Sequence, residues 1–161
     1  MLSERGDRLL NAAIDCCTRE IPAWALDLRC RKQEALAVVE RGVWAHGIEP
    51  DQLVLGRDNG TAFTSRGFRA RLSELGIAHR RGGYRDPESQ AFIESWFSKL
   101  KERCVWREEF ETLDQARAVI GAYVERYHHR PHQFLGYRTP KEVSQTWEDA
   151  RETEALRNHA A

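Results

Sequence analysis

The run L-V-L-G-R-D-N-G-T-A-F-T-S, from Leu53 to Ser65, decides how this chain is read. Three apolar residues of strand type lead to Gly56 and Arg57. The acid Asp58 then stands directly before Asn59-Gly60, a pair that favours a tight turn. In isolation Asp-Asn-Gly is a good turn sequence and no more. A second run gives it another meaning. In Q-A-F-I-E-S-W-F-S-K-L-K, from Gln90 to Lys101, Glu94 sits on the first turns of an amphipathic helix, 36 positions after Asp58. Helical geometry puts Glu94, Ser98 and Lys101 on one face, while Phe92, Trp96, Leu100 and, part-way round, Phe97 supply the buried side. An acid at a strand end and another on a helix can converge on one divalent cation. Hard oxygen donors suit Mg²⁺ or Mn²⁺ rather than zinc. A lysine one to two turns beyond such an acid suits a phosphate backbone running past the site.

The 161 residues suffice for one domain with a real core, burying roughly two thirds of the unfolded surface. Twenty-five basic and 25 acidic residues cancel, so any affinity for DNA must come from local patches. Charges interleave along most of the chain, but from Arg66 to Arg85 six arginines, Arg80 and Arg81 among them, oppose only Glu74. Four cysteines form no C-x-x-C pair and read as reduced thiols, with Cys16 and Cys17 on opposite faces of a strand. No apolar run approaches the ~18 residues of a membrane span and no signal peptide is visible, so a soluble cytoplasmic protein is expected.

Patterning predicts strands over 9–17 and 21–28 joined as a hairpin, then a helix over 33–45 and a strand over 52–56. A helix over 67–75, stopped by Gly76, and a strand over 77–79 follow. The glycine- and proline-bearing stretch 81–87 reads as a loop, and helices follow over 88–103 and 113–127. Thr139-Pro140 opens a last helix over 141–147, with a charged helical tail over 148–161. The order indicates an α/β domain over residues 1–147. Five tryptophans with no common face and no basic interleaving read as packing residues.

A third run, Y-H-H-R-P-H-Q-F-L-G-Y-R-T-P-K-E-V from Tyr127 to Val143, looks like the signature Y-N-x-x-R-P-H-x-x-L-G-Y-x-T-P of transposases. Together the three runs resemble the D-D-35-E catalytic core of retroviral-type integrases and bacterial insertion-sequence transposases, over nearly the whole chain. That resemblance sets His128, His129 and His132 in the signature rather than in a metal site, with His128 where the family usually has Asn. It implies a ribonuclease H-like mixed sheet flanked by helices, with Asp58 and Glu94 as catalytic metal ligands. Three carboxylates would hold two Mg²⁺ or Mn²⁺ ions for DNA cleavage and strand transfer. Lys99, Lys101, Arg80, Arg81, Arg130 and Arg138 would contact DNA, the partners being transposon ends, target DNA and a second copy or a full-length transposase. In that family the first acid lies on the first, central strand, upstream of a hairpin. The segment 9–24 resembles the second and third strands, so the first acid and its strand are expected before Met1. Asp7 and Asp15 do not match the catalytic position. The expectation is an N-terminally truncated core for DNA integration and transposition, inactive alone, or else a non-catalytic DNA-binding or interaction remnant.

Overall fold

The computed structural model describes residues 10–27, 32–57, 65–81 and 87–159; for Lys32, Arg57, Arg80, Arg81 and residues 87–90, 158 and 159 it describes the backbone alone. The chain opens with an antiparallel pair, β1 (Leu10–Ala13) and β2 (Ala23–Leu26), with Leu10 opposite Leu26 and Ala13 opposite Ala23. Both strands are shorter than the apolar patterning suggests. Asp15 Oδ1 accepts the Cys17 and Thr18 N–H groups at 2.7 and 2.8 Å, offering the backbone a local alternative to the ladder. The chain turns there, with Arg19 in the left-handed region at φ 64°. Cys16 and Cys17 are therefore both exposed in the turn, not on opposite faces of a strand.

Helix α1 (Lys32–Ala45) leads to β3 (Val54–Arg57), α2 (Arg66–Glu74) and β4 (Ala78–Arg81), and β3 and β4 pair in parallel. Ser65 caps α2 by accepting the Phe68 N–H. Gly76 ends it at φ 64°, where the Ile77 and Gly76 N–H groups return to the Leu72 and Ser73 carbonyls. A side chain there would be strained, and its Cβ would lie 2.6 Å from Pro50 Cβ. The cap thus fixes where β4 starts.

Helices α3 (Pro87–Arg103), α4 (Leu113–His128) and α5 (Pro140–His159) complete the order, with single 3₁₀ turns at Val105–Arg107 and Gln133–Leu135. The last helix opens on a capping box, in which Thr139 N–H donates to Glu142 Oε2 at 2.7 Å and Glu142 N–H to Thr139 Oγ1 at 3.2 Å. It runs without a break through the charged tail, and Arg151 reaches the His46 and Gly47 carbonyls at the end of α1. Among the described residues no helix is long and apolar enough to cross a membrane.

Two apolar clusters hold these elements. Leu10, Ile21 and Leu26 of the hairpin meet Trp96 and Leu100 of α3 with Cys104 just past its end, and Ala116, Ile120 and Val124 along α4, both triplets repeating every four residues. The second cluster joins Ala35, Val39 and Val43 of α1 to Phe68, Leu72 and Ile77. Helix α1 also lies on β1 and β2, and α3 packs against β3, so the two halves share one layered body. Among the described residues the four strands form two separate two-stranded sheets rather than one mixed sheet. Val54 on β3 is 60% exposed, which is unusual for a strand in an α/β layer. The central strand, expected before Met1, has no counterpart among the described residues.

Candidate active site

Glu94, Ser98 and Lys101 line one groove of about 370 Å³ on α3, together with Phe97 and Trp106. The buried stripe of Trp96 and Leu100 turns this face outward, and T-shaped contacts of Trp96 with Tyr123 and Tyr127 fix the helix against α4. Among the described residues nothing hydrogen-bonds or ion-pairs with the exposed Glu94 carboxylate. An uncommitted carboxylate beside a hydroxyl is a hard-oxygen donor set of the kind Mg²⁺ and Mn²⁺ take. Asp58 and the Asn59-Gly60 turn lie outside the described residues. Asp58 follows directly in sequence on Arg57, the last residue of β3, and β3 is the strand against which α3 packs.

The two lysines expected as a pair face different neighbours. Lys101 stands in the groove with Glu94. Lys99 stands near His132, together with Arg130 and Arg19. Burial first, and then those three cations, hold the His132 imidazole below its ordinary pKa. Its ring meets Tyr127 edge-on at 4.9 Å. Arg130 is exposed. Arg138 is exposed but lies along α5, donating to the Glu142 carbonyl at 2.9 Å and to Thr146 Oγ1 at 2.6 Å. Arg80 and Arg81 lie on β4, described as backbone alone. Within the basic stretch Arg71 is already engaged, pairing with Glu40 at 2.7 Å and Glu74 at 2.9 Å.

Three features escaped the sequence reading. His128 Nε2 accepts the Ile21 N–H at 3.0 Å, clamping the hairpin to the end of α4. Burial holds this imidazole below its ordinary pKa, in keeping with a neutral acceptor. Tyr127 donates to the Arg19 carbonyl at 2.9 Å, and burial pushes its phenol up to about 12, so the donor proton stays in place. Arg19 in turn lies over the Phe92 ring of α3 at 3.1 Å. A tyrosine and a histidine flanking a helix end were the available signal, but their partners are about a hundred residues away. The tryptophans divide: Trp96 is buried, whereas Trp44, Trp106 and Trp147 are 71, 73 and 57% exposed and do not pack as expected.

The profile of the integrase core domain family matches residues 3–87, and a second profile of the same description matches residues 75–140. The chain belongs to the integrase core domain family. It is 29% identical over 144 residues to the transposase for insertion sequence element IS904 of Lactococcus lactis subsp. lactis (strain IL1403), which covers 87% of this chain and 56% of that protein. It is 27% identical over 146 residues to transposase InsD for insertion element IS2D of Escherichia coli (strain K12), covering 86% of this chain and 48% of that one. This core thus spans about half the length of those relatives. Its fold matches the catalytic core domain of BIV integrase with a TM-score of 0.67 at 19% identity, over 89% of both chains. It also matches a chain of the simian T-cell lymphotropic virus intasome in complex with PP2A regulatory subunit B56 gamma, at the same TM-score and 17% identity, over 84% of this chain and 47% of that one. The integrase core fold is ribonuclease H-like, as the three runs implied.

Proposed function

We propose that this integrase core serves DNA transposition, using Asp58 and Glu94 as ligands for Mg²⁺ or Mn²⁺ at a phosphodiester. The observation that carries the reading is the uncommitted Glu94 carboxylate in an open groove, on a helix packed against the strand that Asp58 follows. When bound, the divalent ions supply activation of the attacking hydroxyl or water and stabilisation of the leaving oxygen. The protein's own part is placement. Lys101 holds the phosphate beside Glu94, Ser98 orients it, and Lys99 and Arg130 steady the same duplex on the neighbouring face, with Arg80 and Arg81 adding positive charge from β4. Arg138, occupied within α5, contributes by fixing the signature loop. The partners are transposon-end and target DNA, and a second copy or a longer transposase, in the cytoplasm. A third carboxylate would complete the set on a strand between β1 and β3.

The described strands split into two sheets, which favours a second reading, a non-catalytic DNA-binding domain. Mn²⁺ binding by electron paramagnetic resonance and salt-dependent DNA binding test the shared part: Asp58→Asn and Glu94→Gln should each abolish ion binding and spare DNA binding. Ion binding that survives both changes places the metal elsewhere. Strand transfer on transposon-end DNA then separates the readings. Activity from this chain, or from one extended by an acid-bearing strand, and lost with Glu94→Gln, establishes the enzyme. Inactivity of both leaves the binding domain.

A further inference from the structure

The groove beside Glu94 contains a group that placement of metal and phosphate does not use. Trp106 lies in the 3₁₀ turn Val105–Arg107, which packs back against α3, and the residue is 73% exposed. The turn is held in place: Arg107 Nε donates to the Glu102 carbonyl at 3.0 Å, and the Arg107 N–H to the Cys104 carbonyl at 3.3 Å. An exposed indole on a fixed turn gains nothing from core packing. Its surroundings have the chemistry to receive a nucleotide, with the Lys101 ammonium for a phosphate, the Ser98 hydroxyl for a sugar or phosphate oxygen, and the aromatic rings of Phe97 and Trp106 for a base. Arg103, in the last turn of α3, and Arg107 interleave positive charge with the aromatic ring. A base inside a duplex is stacked on both sides and offers no free face, whereas an unpaired base does. Glu108 and Glu109, both exposed just beyond the turn, disfavour further phosphates and confine the contact to one or two nucleotides.

We infer that Trp106 is a stacking platform for an unpaired nucleobase next to the phosphodiester held at Glu94, so that the site takes frayed or single-stranded DNA ends in preference to blunt ones. The inference rests on the proposed DNA function and adds the form of DNA end that it selects. Base–aromatic stacking of this kind corresponds to about a tenfold gain in affinity.

The test is fluorescence anisotropy on two duplexes of identical sequence, one blunt and one with a two-nucleotide 3′ overhang carrying 2-aminopurine. The wild-type chain should bind the overhang about tenfold more tightly than the blunt end and quench the 2-aminopurine. Trp106→Ala should reduce overhang binding to the blunt level and restore the emission, and Trp106→Phe should keep most of both effects. Because Trp106 is exposed, circular dichroism and the melting temperature should be those of the wild type. Equal affinity of wild type and Trp106→Ala for the overhang overturns the platform while leaving DNA binding intact. Failure of the wild type to bind either duplex overturns the DNA function and the platform with it.

Discussion

His128 shows how much one side chain can hold. Its Nε2 is the acceptor for the Ile21 N–H, and only a neutral ring with its proton on Nδ1 can fill that role. Replacement by Ala leaves that N–H unpaired in a partly buried place and should cost about 1–3 kcal/mol in urea unfolding, whereas Asn, with an amide oxygen, should recover part of it. The linkage with pH has a definite sign. Burial lowers the folded-state pKa beneath the ordinary 6.5, opposed by Glu20 and Glu125 and aided by Lys141 and His129. Between the two values the unfolded chain binds more protons, so stability rises with pH. The contribution is complete above about pH 6.5 and is lost as pH falls towards the folded value. His132, shifted the same way, acts in the same window. Denaturation series from pH 5 to 8 should show a drop below 6.5 that is smaller in His128→Ala. An identical drop in both proteins would mean that other groups carry it.

Elements were legible where the sequence itself contains both ends of the argument. Helix α3 could be read from Trp96, Leu100 and the acid and lysine on the opposite face, and α2 from Gly76, because caps and periodicity are local. Gly76→Ala tests that cap: the left-handed backbone and the approach of Pro50 together predict a loss of about 1–3 kcal/mol in thermal or urea unfolding. A neutral change would show that the α2–β4 junction yields freely. Strand lengths were less legible, because Asp15 takes the Cys17 and Thr18 N–H groups and ends β1 at Ala13, which alternation of apolar residues does not reveal. The hydrogen bonding of Arg138 to α5 and the engagement of Arg71 with Glu40 were also hidden, since a charge count cannot tell an engaged arginine from a free one. The acid on the groove could be found from spacing; the aromatic beside it could not, because Trp106 follows α3 in sequence and meets the groove only through the 3₁₀ turn.

At the scale of the whole molecule, the separation of the described strands into two sheets is the feature with most bearing on behaviour. Among the described residues β3 pairs with β4 alone and carries an exposed valine, and such a strand is a template for pairing with another chain. Val54→Lys is therefore expected to reduce self-association in sedimentation velocity without lowering the melting temperature, and unchanged association would locate the contact elsewhere. The hairpin clamps have a different consequence, one of timing. Ile21 waits for His128, 107 positions on, Arg19 waits for Tyr127, 108 positions on, and Leu26 waits for Arg117, 91 positions on. At a synthesis rate of ~5–20 residues per second, the hairpin leaves the ribosome roughly 5–20 s before the helix that secures it. The hairpin must spend that interval unlatched, within reach of chaperones and proteases, and it closes only when the helix carrying Arg117, Tyr127 and His128 has been made.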